Sequence, residues 1–250
     1  MLALIARFVP VLCALLGVVA APSSTSATPS ARATVTTKVY KIAHPQYGPG
    51  KFSFPVVRAP SEAATRAIGE ALKKIKNTIY DVEDRPQSLT DMSFKVKHNG
   101  DNILSLSLDV DSMGAYPELW SEHHAFLLTT GEELTAKMIF EPAKLEALAA
   151  RVDIELQKEI ARSRRGELPG EIPECKDTPI ERTFSVEDLQ SFYIDLKGIT
   201  FNYVYAFPHA GHACEPPGQL FLSFVDLGPF LRNDGPLSGI VKAAPPRRGR

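Results

Sequence analysis

Six residues near the end of the chain have the make-up of a metal site: His209-Ala210-Gly211-His212-Ala213-Cys214. Imidazole and thiolate at this spacing are ligands that zinc and copper accept. The same residues also describe a surface loop, in which Cys214 is spent in a disulfide with Cys175 and no metal is bound. The second reading is carried forward, with His209 and His212 kept as the alternative ligand pair. Two further groups have chemistry-bearing side chains. His123 and His124 are adjacent in a strand-like run, so their imidazoles point to opposite faces and only one can join a given site. Asp109, Asp111 and Glu118 are close in sequence and have the residue types of a general acid/base pair; solvated strand-end carboxylates are the competing reading. Tyr116, Trp120, Tyr203, Tyr205 and Phe221 supply the large amphipathic side chains of a recognition surface, or else of a core.

These residues are carried by a stretch whose conformation is easy to read. Leu104, Leu106, Leu108 and Val110 alternate with Ser105, Ser107 and Asp109, the period of a strand with one buried and one wet face. Met92, Phe94 and Val96 alternate in the same way, and His98-Asn99-Gly100-Asp101 offers the turn of an antiparallel hairpin. Earlier strands are expected over 34–42 and 52–57, the second at an edge or bulge because of Pro55. Later strands are expected over 121–129, 134–139, 192–196, 199–207 and 220–225. Two helices are expected to cover the sheet. The first, over 61–82, has the stripe Ile68, Leu72, Ile75 and Ile79 with Ser61 as cap; the second, over 142–165, has the stripe Leu145, Leu148, Val152, Leu156 and Ile160. The order of elements predicts an α+β fold, a central and mainly antiparallel sheet covered by two long helices.

The ends read differently. Arg7 precedes an apolar run from Phe8 to Ala21, and Val18-Val19-Ala20 offers a processing site, so residues 1–20 read as a secretory signal peptide. A Ser/Thr/Ala/Pro linker follows over 21–33. An N-terminal portion over 34–100, a second over 101–232 and a flexible basic tail over 233–250 complete the organisation. Export places the mature chain in the periplasm or outside the cell, where the even pair Cys175 and Cys214 is expected to be bridged. The formal net charge of −1 gives no reason to expect nucleic acid as a partner, and no cofactor is expected. There is no nucleophile elbow, phosphate loop, dinucleotide fingerprint or His-Glu-x-x-His helix.

The second half resembles a domain of unknown function shared by RsiV-type lysozyme-sensing anti-sigma factors and the non-catalytic region of PdaC-type peptidoglycan deacetylases. The similarity rests on the serine-and-leucine strand, the corner Gly114-Ala115-Tyr116-Pro117, the strand ending Thr129-Thr130-Gly131-Glu132, the long helix after Pro142, and the loop from Phe207 to Gly218. Residues 34–100 resemble the small domain that precedes it. Met113 and Tyr116 replace a glycine and a histidine of the family's corner. The resemblance implies an exported, non-enzymatic binding module of the cell envelope that recognises a lysozyme-like protein or a cell-wall component. Its candidate binding residues are Tyr116, Trp120, His123, Tyr205, His209 and His212. The competing class is a metal-binding or hydrolytic envelope protein using the loop from His209 to Cys214.

Overall fold

The computed structural model describes residues 31–44, 48–80, 89–113, 116–168, 175 and 179–243. The expected signal peptide, most of the linker, the segment around Pro86, the Gly114-Ala115 half of the corner and the last basic residues lie outside the described residues.

Five strands form one sheet in sequential order: β1 (Thr34–His44), β2 (Gly48–Arg58), β3 (Leu89–Gly100), β4 (Ile103–Met113) and β5 (Pro117–Leu127). All neighbours are antiparallel except β2 and β3, which run parallel. A parallel step requires a crossover, and helix α1 (Glu62–Tyr80) lies between those two strands in sequence. The Ser61 hydroxyl caps it by accepting a hydrogen bond from the Ala64 amide at 3.1 Å. Its buried stripe of Ala64, Ile68, Leu72 and Ile79 packs with Phe52, Phe54, Leu104, Leu106, Leu108, Val110 and Phe126. Pro55 sits in β2 beyond the short ladder to β3, where its missing N–H leaves no bond unmade on that side.

The β3–β4 turn falls two residues later than the sequence suggested. Asp101 and Asn102 both take positive φ, 49° and 66°. Asn and Asp tolerate this left-handed conformation better than other non-glycine residues, and two such residues match the twist of a tight hairpin.

A second sheet of three antiparallel strands, β6 (Phe192–Ile194), β7 (Gly198–Asn202) and β8 (Gln219–Ser223), follows the helices α2 (Ala136–Ile139) and α3 (Leu145–Arg164). The expectation of one sheet covered by two long helices is corrected here. Helix α1 packs on the main core of the five-stranded sheet. Leu145, Leu148, Val152, Leu156 and Ile160 of α3 belong to a separate core with Phe201, Leu220 and Leu222. The supposedly wet face of β4 is also covered: Ser105 and Ser107 are buried, and the Ser105 hydroxyl accepts a hydrogen bond from the Ile194 amide at 3.0 Å. Serine is small enough for β6 to approach and supplies the acceptor that β6 needs.

Residues 134–139, expected as a strand, contain α2 instead. Ala136, Lys137 and Met138 favour helix over strand, while Leu134 retains a backbone bond to Ala125 at 2.7 Å. The strand expected over 199–207 loses its ladder after Asn202, and Ala206 turns the chain with φ 50°. Within the stretch read as tail, Leu237 is buried in the second core and Ser238–Ala243 forms helix α5, after a short helix α4 (Phe224–Leu227).

Gly131 explains the Thr-Gly-Glu motif. It has φ 80°, and a Cβ there would lie 2.6 Å from the Ala64 carbonyl of α1. Gly131→Ala is expected to destabilise the protein by at least ~1 kcal/mol from the left-handed backbone alone, with crowding against α1 adding to it. Urea denaturation of the purified variant measures this; an unchanged midpoint would contradict the close approach of turn and helix.

Candidate functional site

The pairing of β4 with β5 places Asp111 opposite Leu119, Asp109 opposite Ser121 and Ser107 opposite His123. Because side chains alternate across a strand, these residues share the face turned towards the second sheet. Asp109, Asp111, Leu119, Ser121 and His123 form one wall of a cleft of about 340 Å³, whose other wall is Asn202, Tyr203, Val204, Tyr205, Glu215, Pro216, Pro217 and Gln219. The volume falls at the small end of ligand sites.

The second wall is held from behind. Glu159 of α3 accepts hydrogen bonds from the Gly218 amide at 2.6 Å and the Tyr205 hydroxyl at 3.2 Å. Arg182 donates to the Tyr205 carbonyl at 3.1 Å, and the Glu215 carboxylate accepts from the Phe207 amide at 2.6 Å. Gly218, with φ 64°, lets the chain pass where a Cβ would meet the Tyr203 carbonyl at 2.1 Å. The Cys175–Cys214 disulfide, with its Cα atoms 5.1 Å apart, fastens the loop that leads into this wall.

Charge in the cleft is uneven. Burial works to raise the Asp109 carboxyl, but Lys95 at 2.8 Å and the Ser121 hydroxyl at 2.8 Å outweigh it and hold this carboxylate below its usual range. Asp111 is pushed upward, first by burial and then by repulsion from Asp91, its direct cross-strand partner, and from Asp109. His123 packs its ring 5.1 Å from that of Tyr193, and burial, with Lys97 nearby, lowers its pKa to about 4. It is therefore neutral at physiological pH.

His123 Nδ1 and the Asn202 amide nitrogen are both buried and make no hydrogen bond that meets ordinary geometry. The Asn202 side chain nevertheless supports the imidazole electrostatically. A neutral imidazole has one acceptor and one donor nitrogen.

His124, on the opposite face, has a different fate. Its Nδ1 lies 2.6 Å from Glu133 and its Nε2 3.5 Å from Glu122. Burial alone would lower this imidazole, yet the two carboxylates raise it to about 9. A histidine that titrates near 6.5 when unfolded and near 9 when folded stabilises the fold in its charged form. That contribution, up to about 3 kcal/mol, is complete below pH 6.5 and is lost as pH rises through 9. Unfolding free energy measured between pH 6 and 10 is expected to fall in that window, and His124→Gln to flatten the fall; parallel curves for both proteins would contradict the assignment.

The other expected site residues separate. Tyr116 is exposed at the start of β5, outside the cleft lining. Trp120 borders the cleft through its strand, but its side chain packs with the α1 core, and its indole N–H approaches Glu122 at 3.4 Å. Glu118 shares that α1-side face and cannot pair with Asp109 or Asp111 as an acid/base couple. Tyr205 is only 1% exposed, so it is part of the packed wall rather than a recognition surface. Phe221 is half exposed on β8, away from the cleft lining. His212 is exposed, and the side chain of His209 lies outside the described residues. Cys214, being bridged, has no thiolate to offer a metal, and no group of three or more His, Cys, Asp or Glu side chains gathers as a metal set among the described residues. Thus His123, Asp109 and Asp111 are the anticipated side chains that meet in the cleft. Ser121, Asn202, Val204 and Gln219 were missed: single polar or β-branched residues leave no spacing signal, and only tertiary packing brings Asn202, Val204 and Gln219 opposite β5.

No protein-family model matches the sequence, and no curated protein matches it. Solved structures do. A member of the DUF3298 family from Bacteroides fragilis superposes with a TM-score of 0.54 at 14% identity, covering 87% of this chain and 99% of its own. A DUF3298 family protein from Pseudomonas aeruginosa gives 0.51 at 13% identity, covering 80% and 94%. Five strands around a crossover helix, followed by a long helix and a three-stranded sheet, are accordingly the fold that this chain has in common with DUF3298 proteins.

Proposed function

We propose that this protein is an exported, non-enzymatic binding module of the cell envelope, related to the PdaC/RsiV-like domains, which uses the cleft between β5 and the 203–219 wall to recognise a lysozyme-like protein or a cell-wall component. The observation that carries the reading is the cleft itself. It is concave, walled by β5 on one side and by the 202–219 segment on the other, and backed by Glu159, Arg182 and the Cys175–Cys214 bridge. A recess held this firmly on both sides suits a preformed binding site. Export is supported by the leader over residues 1–20 and by the disulfide, which persists in oxidising compartments.

A binding role rather than catalysis fits the commitments of the polar groups. Asp109 is neutralised by Lys95, His124 is locked to Glu133 on the far face, and neutral His123 leans on Asn202. Among the described residues that line the cleft, no pair is poised as nucleophile and base.

The test is capture of lysozyme and of envelope material by the immobilised mature protein, compared with Val204→Trp. Val204 is 74% exposed at the lip of the cleft, so the substitution narrows the opening without disturbing a core. The expected result is retention by the native protein and loss with the variant. Equal capture by both would overturn the cleft as the binding site.

A further inference from the structure

Resting on that reading of the cleft, we infer that its ligand is a neutral carbohydrate, bound with its ring between the lips Leu119 and Val204 and with its hydroxyls on Asp111, His123 and Gln219.

The lining excludes one ligand class by charge. It contains Asp109, Asp111 and Glu215 but neither lysine nor arginine; with Asp109 offset by Lys95, Asp111 and Glu215 still leave the lining net negative and unfavourable to an anionic group. Two of the three carboxylates are committed elsewhere, Asp109 to Lys95 and Ser121, and Glu215 to the Phe207 amide. This leaves a small set of groups that differ in kind. Asp111 is an acceptor bordering the cleft, opposite exposed Leu119. The accessible edge of His123 is its Nε2 side, since Nδ1 is buried. Gln219, exposed at the start of β8, offers both a donor and an acceptor. A hydroxyl likewise donates and accepts, so a row of hydroxyls satisfies this mixture where an all-donor or all-acceptor ligand does not.

The apolar groups fit the same class. Leu119 is 76% exposed and Val204 74% exposed, and both line the cleft. A pyranose has apolar C–H faces and a polar rim, matching an aliphatic border around a polar floor. A cavity of about 340 Å³ holds a short saccharide rather than a protein loop.

The experiment is titration of the mature protein with oligomers of N-acetylglucosamine and, separately, of glucose, read by backbone amide chemical shifts and by calorimetry. Binding of either series with shifts confined to residues 109–123 and 202–219 is expected. Asp111→Asn is expected to weaken that binding about tenfold or more, the loss of a charge-assisted hydrogen bond. The variant also removes the repulsion with Asp91, so its thermal midpoint should equal or exceed that of the native protein, and weaker binding cannot then be ascribed to unfolding. Binding that is unaffected by both Asp111→Asn and Val204→Trp would overturn the inference. So would the absence of binding to either series; if Val204→Trp still abolished capture of lysozyme or envelope material, the cleft would stand as the site with a ligand of another class. If that capture were also indifferent to Val204→Trp, the cleft reading would fall with it.

Discussion

Serine at both Cys175 and Cys214 lowers the unfolding free energy by about 4 kcal/mol, as expected for releasing a closed loop of this size in the chain-entropy model. The bridge joins residues 39 apart and encloses β6, β7 and the wall segment of the cleft. Without it, the denatured chain regains the freedom that the cross-link removed. The folded chain depends on Glu159, Arg182 and Glu215 to keep residues 203–218 in place. Chemical denaturation of the double variant beside the oxidised protein measures the effect. Native protein in reductant should behave like the variant. If the midpoints coincided in all three samples, the bridge would have no share in stability, and the rigidity attributed to the cleft wall would need another source.

Leu106→Ala is expected to cost about 2–5 kcal/mol. Leu106 is fully buried in the middle of β4, paired with Val96 on one side and His124 on the other, and packs into the core beneath α1. Truncation removes buried methyl groups and leaves a cavity that a strand clamped from both edges cannot collapse to fill. β4 also contributes Ser105, Ser107, Asp109 and Asp111 to its other face, so loosening it should disturb the cleft as well as the core. The measurement is an equilibrium urea curve. Leu119→Ala, at an exposed position on β5, serves as the comparison and should stay within about 0.5 kcal/mol of the native protein. Equal losses at the two positions would contradict the burial assigned to β4.

Local chemistry made much of the fold legible. Period-two alternation identified β3 and β4, and the stripes of Ile68–Leu72–Ile79 and Leu148–Val152–Leu156 identified the long helices, because burial on one face imposes a repeat that adjacent residues display. Gly131 and the even pair of cysteines were likewise readable, one from the turn it permits and the other from redox chemistry. The partner of each apolar face was not. Nothing in the spacing of α3 says that it covers β7 and β8 rather than the first sheet, or that Ser105 and Ser107 lie beneath β6 instead of facing water. Helix α2 was read as strand because six residues alternate equally well in either form.

The site divides in the same way. The residue types of Asp109, Asp111, His123 and His124 marked them as chemistry, and strand alternation alone required the two histidines to part. Only tertiary structure decided that His124 is held charged by Glu122 and Glu133 while His123 is buried neutral beside Asn202. The same packing buried Tyr205, turned Trp120 to the α1 core and consumed Cys214 in the bridge. The physical reason is range: alternation, capping and turn preference act between neighbours in sequence, whereas burial, charge compensation and the walls of a cleft depend on which distant segments come to lie against each other.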